Sequence, residues 1–294
     1  MIASRAEATC HGAVTIVNAM ATGKGAALGI SLWTKARVSL TSDPGSIVAR
    51  NLTHPEESTE LTEATAKQVF RRFGLGRRLG AIVETESNIP VAVGLKSSSA
   101  ASTAVSLACM RVLGRKLTDV EIIKLGVEAS LRVGVTLTGA YDDACACYFG
   151  GIVVTDNSRM KLLKRLTPKD KVGVLIHVPK KKVYTRFVNR ARFKSAKSIV
   201  SVAHKEALRG NYWIALTLNG LAYSNAFGYG AEATIEALGA GALAAGLTGK
   251  GPAVAAIVSE SKADSVRSAW RHLKGQILET KLNSAKATAG RIEA

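Results

Sequence analysis

One stretch constrains this chain more than any other: Pro90-Val91-Ala92-Val93-Gly94-Leu95-Lys96-Ser97-Ser98-Ser99-Ala100. It follows a strand-like run over 82–86 and opens into an alanine-rich segment that reads as a helix to about 113. A glycine, a lysine and three hydroxyls therefore stand where backbone N–H groups at a helix N-terminus lack helical partners. Small residues at that point let a polyphosphate approach the backbone closely. The spacing does not fit the Walker-type P-loop, in which Gly-Lys-Ser/Thr closes the loop. A serine-capped helix after a loop is the plainer alternative, so the rest of the chain must decide.

The sequence of 294 residues has room for two modest domains, and its 47% apolar fraction is that of a globular protein. Aromatics make up only 5%, so alanine, glycine and valine must do much of the filling. No run approaches the ~18 apolar residues of a membrane span, and the first residues lack a signal-peptide core. A cytoplasmic protein is expected. Cys10, Cys109, Cys145 and Cys147 lack zinc-site spacing, which leaves four free thiols in a reducing compartment. There are 40 Lys and Arg against 22 Asp and Glu, a formal charge of +18. Such a surface attracts anions: a nucleotide, an acidic metabolite or nucleic acid. The basic clusters, such as Arg71-Arg72 and Lys180-Lys181-Lys182, are not interleaved with stacking aromatics, which argues against a single-strand binding surface.

Periodicity predicts strands through 5–42 around a glycine-rich insert at 21–29, then a helix over 61–73. Thr118-Asp119-Val120-Glu121 reads as a capping box, and Ile152–Val154 with Met160–Leu163 as a hairpin. The second half reads as a strand over 172–178, helices over 198–208, 213–223 and 231–238, a strand over 254–258, a helix capped by Ser261 and a last strand over 277–282. That order suits a ferredoxin-like layout with helices on one face of a sheet. The boundary is expected near 155, giving domains 1–155 and 156–294. Gly239-Ala240-Gly241-Ala242-Leu243-Ala244 satisfies the dinucleotide fingerprint formally, but a helix rather than a strand precedes it, so it reads as a linker.

Pro90 to Ala100 resembles the second motif of the GHMP kinases, Pro-x-x-x-Gly-Leu-x-Ser-Ser-Ala. Leu247-Thr248-Gly249-Lys250-Gly251-Pro252 resembles their third, a glycine-rich Thr-Gly-x-Gly loop near the phosphates, although alone it reads as a tight turn. The run His11 to Gly29, Thr138-Gly139-Ala140-Tyr141-Asp142-Asp143 and Asn211 to Gly220 extend the likeness over nearly the whole chain. They point to the archaeal-type shikimate kinase branch of that superfamily. Lys96, where many members have glycine, and the third serine agree with that branch.

The resemblance implies an α+β, two-domain fold with an S5-like N-terminal domain and a ferredoxin-like C-terminal one. It implies ATP and Mg²⁺ as cofactors, shikimate as the small-molecule partner, and no nucleic-acid or membrane partner. The residues from Pro90 to Ala100 would hold the ATP phosphates, with Ser98 and Glu128 holding Mg²⁺. Asp142, with Asp143 as the neighbouring alternative, would accept or orient the proton of the acceptor hydroxyl, since phosphoryl transfer requires that proton to leave. Lys24, Arg190 and Arg192 are the cations to test for the substrate carboxylate. Other readings stay open: a homoserine- or mevalonate-type GHMP kinase, a ligand sensor of the same fold, and a basic nucleic-acid-binding protein with an S5-like fold.

Overall fold

A computed structural model of the chain describes residues 4–168, 171–180, 183 and 193–292. Its strands and helices run in the order β1 (Arg5–Val17), β2 (Lys24–Thr41), β3 (Ile47–Asn51), α1 (Glu60–Arg72), β4 (Gly80–Ser87), α2 (Ser97–Val112), α3 (Asp119–Arg132), α4 (Tyr141–Phe149), β5 (Ile152–Asp156) and β6 (Lys161–Leu166). There follow β7 (Val172–Val178), α5 (Phe193–Arg209), α6 (Tyr212–Phe227), α7 (Glu232–Gly239), β8 (Ala244–Leu247), β9 (Val254–Ser259), α8 (Ala263–Ala269), β10 (Gln276–Lys281) and β11 (Thr288–Arg291).

Two sheets organise these elements, an α+β architecture. The larger has seven strands in the order β11-β1-β2-β4-β3, with β5 and then β6 attached to the first half of β2. The long β2 thus pairs with β5 over Lys24–Leu28 and with β4 over Thr34–Thr41. Along β1, burial alternates from Arg5 to His11, as expected of a strand wet on one face. From Gly12 to Val17 every residue is buried, because elements now pack on both faces. The second sheet is antiparallel in the order β10-β7-β9-β8. With the helices between its strands this is the ferredoxin-like βαββαβ arrangement. No described helix is long and apolar enough to cross a membrane.

Several sequence expectations meet differences here. The glycine-rich segment at 21–29 is not a loop insert, since Lys24 onward belongs to β2. Its glycines are there for close approach: a Cβ on Gly29 would lie 2.9 Å from the Asn283 carbonyl oxygen. The segment after Gly239 is not merely a linker, for Ala244–Leu247 forms β8. A Cβ on Gly220 of α6 would come within 2.3 Å of the Gly246 Cα, so two facing glycines let α6 lie directly on β8. Tyr148 and Phe149 close helix α4, and Gly150 and Gly151, both at positive φ, turn the chain into β5. The capping box at Thr118 forms with both reciprocal bonds.

Candidate active site

Three sequence-distant loops meet at one end of α2. The loop before α2 is held at positive φ by Ala92, Gly94 and Lys96. A Cβ on Gly94 would lie 2.1 Å from the Thr248 carbonyl oxygen, so only glycine admits the β8–β9 loop so close. Thr248 Oγ1 donates to the Gly94 carbonyl (3.0 Å) and accepts from the Thr15 N–H (2.9 Å). Thr15 Oγ1 in turn accepts from the Gly249 N–H (2.9 Å), and Asn18 Nδ2 donates to the Gly249 carbonyl (2.8 Å). On the far side, Asn219 Oδ1 of α6 accepts from the Asn18 N–H (2.8 Å), and the Tyr223 hydroxyl accepts from the Ala21 N–H (2.9 Å). The end of β1 is thereby clamped between the two halves of the molecule.

The first intrahelical bond of α2 runs from the Ala100 N–H to the Lys96 carbonyl, 2.9 Å. The N–H groups of Ser97, Ser98 and Ser99 therefore have no helical acceptor, and no side chain caps them. They border a cleft lined by Ala92, Gly94, Lys96 and the three serines, by Thr15 and Asn18, by Ser130, Thr136 and Thr138, by Asp142 and Asp143, and by Lys250. Within the predicted phosphate motif, Val93, Leu95 and Ala100 point into the core, while Pro90 and Val91 are outside the lining.

Asp142 begins the first turn of α4 and is 4% exposed. Its Oδ1 accepts from Asn157 Nδ2 at 2.7 Å, and Asn157 Oδ1 accepts from the Asp142 N–H (3.2 Å) and from the Thr155 hydroxyl (2.7 Å). A Cβ on Gly25 would lie 2.3 Å from Asp142 Oδ2, so this glycine of β2 makes room for the carboxylate. Burial first, and the neighbouring Asp143 charge second, push the Asp142 carboxyl up to about 7, with Lys96 and Asn157 opposing. Beside it, Lys96 Nζ lies 3.0 Å from Asp143 Oδ1 and donates to Thr15 Oγ1 at 2.6 Å. Lys96 holds a left-handed backbone, φ 68°, in the place where a glycine would be unstrained.

Not every predicted residue reaches the cleft. Glu128 is exposed on the face of α3 turned to α1, where its Oε2 accepts from Gln68 Nε2 (2.7 Å). It lines a separate groove with Arg71, Arg72 and Arg132, because residues two apart on a helix point in different directions and it is Ser130 that faces the cleft. Glu128 thus stands apart from Ser98, the residue with which it is expected to hold Mg²⁺. Lys24 is exposed at the start of β2 and outside the lining, while Arg190 and Arg192 lie outside the described residues. Sequence reasoning assigned no role to Lys250, although its flanking glycines marked the loop. It also missed Asn157, which reads as a hairpin turn, and Ser130.

The chain is similar to known proteins. The family model for the GHMP kinases N terminal domain matches residues 60–151, and that for GHMP kinases C terminal matches 230–275. The shikimate kinase of Methanosarcina mazei is 44% identical over 95% of each chain. That of Pyrococcus furiosus is 43% identical over 90% of this chain and 95% of its own. Among solved structures, homoserine kinase from Cytophaga hutchinsonii superposes with a TM-score of 0.74 at 17% identity, covering 98% of both chains. Mevalonate kinase from Methanococcus jannaschii superposes with 0.75 at 14%, covering 94% and 98%. At such identity these two establish the fold alone.

Proposed function

The chain belongs to the GHMP kinases, in their shikimate kinase branch, and on that premise we propose that it transfers the γ-phosphoryl group of ATP to the 3-hydroxyl of shikimate. The product, shikimate 3-phosphate, lies on the route to chorismate and the aromatic amino acids. The observation that carries this reading is the placing of the Asp142–Asp143–Lys96 cluster against the open N-terminus of α2 in one cleft. One end offers N–H groups and positive charge for phosphates, and the other a buried carboxyl for a hydroxyl proton.

In this reading the residues from Gly94 to Ser99 cradle the phosphates, with backbone N–H groups as the donors. Asp142 accepts the hydroxyl proton, and Asn157 orients its carboxylate by donating to Oδ1. Because burial raises its proton affinity toward neutrality, it is a far better base than an exposed aspartate, while Lys96 and Asn157 keep it largely ionised above pH 7. The serine hydroxyls are hard oxygen donors of the kind Mg²⁺ takes, and Ser98 is the one we assign to it. Bound there, Mg²⁺ would supply charge neutralisation of the phosphates. The bonds from Asn18 and Ala21 to Asn219 and Tyr223 tie the end of β1, which lines the cleft, to α6.

A coupled ADP-release assay tests the reading. Shikimate should support turnover, and homoserine and mevalonate should not. Turnover with homoserine or mevalonate and none with shikimate would place the chain in another branch. Salt-sensitive binding of generic DNA or RNA without ATP turnover would overturn the kinase reading itself.

A further inference from the structure

We propose that Lys250 is a catalytic residue of this phosphoryl transfer, gripping the terminal phosphate together with Lys96. The proposal rests on the kinase reading and extends it to a side chain for which the sequence motifs give no role. In the step concerned, the bond between the acceptor oxygen and the γ-phosphorus forms while the bond from the γ-phosphorus to the β,γ-bridging oxygen breaks. ADP leaves with that electron pair, and the hydroxyl proton passes to Asp142. Negative charge shifts toward the leaving bridging oxygen as the phosphoryl group moves, so cations fixed beside it favour the transition state over the ground state.

The geometry puts Lys250 at that place. It sits between Gly249 and Gly251, both at positive φ, in a loop pressed onto the phosphate-binding turn. A Cβ on Gly249 would lie 3.1 Å from the Gly94 Cα and 3.1 Å from Lys96 Nζ. Bonds from Thr15 and Asn18 fasten Gly249, and the Gly251 N–H closes the turn on the Thr248 carbonyl at 2.9 Å. Lys250 lines the cleft from this anchored backbone. It is therefore held as firmly as a loop residue can be.

The charges point the same way. Lys96 is only 7% exposed and already ion-paired with Asp143. A second lysine beside it is electrostatically costly, and Lys250 shows the cost: burial first and Lys96 second pull its ammonium down to about 8, with Asp143 opposing. Among the described residues, Asp142 on α4 also lines the cleft, and the ring of Tyr229 after α6 would lie 2.9 Å from a Cβ on Gly251, its hydroxyl kept neutral by burial. A polyanion entering between two ammoniums and a helix N-terminus relieves their repulsion.

Lys250→Met and Lys250→Arg test this against the wild type by ADP-release kinetics from pH 6 to 10 and by calorimetric titration with Mg–ADP. Lys250→Met should lower kcat by about 10²–10³, the range for removing one preorganised donor. Its Kd for Mg–ADP should change less than about threefold, because ADP lacks the phosphate concerned. Wild-type kcat/KM for ATP should decline above pH about 8 as Lys250 of the free enzyme loses its proton, and Lys250→Arg, whose charge persists, should move that decline upward while keeping more activity than the methionine variant. The arginine variant also covers the case in which methionine disturbs folding. The proposal is overturned if Lys250→Met keeps kcat within threefold, or if it loses Mg–ADP affinity in proportion to kcat. It is also overturned if the alkaline decline is the same in all three proteins. A wild type that binds no Mg–ADP would instead sink the kinase reading, and this proposal with it.

Discussion

Asp142 carries the most informative chemistry at the scale of single residues, because its environment makes a pH prediction with a definite sign. Its carboxyl is raised to about 7 in the folded protein, above the ordinary 3.8. The base is active only when ionised, so kcat/KM for shikimate should rise with pH through about 7 and level off above it. Stability runs the other way: the raised value favours the protonated folded form, so this group's contribution is full below pH about 4 and is lost as pH rises through about 7. Asp142→Asn should lower kcat by roughly 10²–10⁴ and remove the acid limb, as a pH–rate profile would show. An Asp142→Asn enzyme of full activity, beside an inactive Asp143→Asn, would move the base one residue on. Ser98→Ala should lower turnover and raise the Mg²⁺ concentration needed for half-maximal rate, with the thermal midpoint unchanged. A Mg²⁺ titration indistinguishable from wild type would remove Ser98 from the metal. Asp142 and the serines are legible in sequence because they sit in short motifs. Asn157, by contrast, meets Asp142 only when β5 folds back on β2, and no local pattern encodes that meeting.

Among the elements, those with strong periodicity or a named cap read correctly from sequence: α1, the capping box of α3, the β5–β6 hairpin and β7. The exceptions share a physical cause. Strand β8 is Ala244-Ala245-Gly246-Leu247, without a β-branched residue, and becomes a strand because β9 pairs with it and α6 covers it. The glycines of β2 look like loop punctuation but serve close approach. This gives a prediction at two positions. Gly220→Ala puts a methyl group 2.3 Å from the backbone of Gly246, and should destabilise the protein by about 1–3 kcal/mol in urea unfolding, the cost of overpacking. Gly25→Ala would put one 2.3 Å from Asp142 Oδ2, and should reduce activity far more than it reduces stability. Unfolding midpoints and kcat measured on both variants would separate the two effects. Equal effects on both quantities at both sites would mean that Gly25 has no special relation to the carboxylate.

For the molecule as a whole, the charge of +18 acts at long range. ATP is a polyanion, so its association should be electrostatically assisted and weaken with ionic strength. Between low and physiological salt, kcat/KM for ATP should fall several-fold while kcat holds nearly constant. A salt-independent kcat/KM would show that the surface charge serves something else. The ferredoxin-like second sheet is readable from the order of strand-like and helix-like segments, while the S5-like first domain comes from the family resemblance. The route of the final strand is not readable, because β11 is four residues long with a single apolar side chain, and only its pairing with β1 makes it a strand.

That pairing brings the two ends of the chain together: Ala6 lies opposite Arg291, and the Ile292 N–H donates to the Arg5 carbonyl at 3.2 Å. The described path from Ser4 to Ile292 is thus nearly a closed ring, and where it is cut matters less than which strands lie side by side. A circular permutant, with a short glycine-serine tether joining the old ends and new ends opened at the exposed Asp43-Pro44-Gly45 turn, should fold and phosphorylate at a rate close to that of the parent. The tether would make the β11–β1 contact local in sequence, so the permutant should close that edge of the sheet early in refolding rather than last.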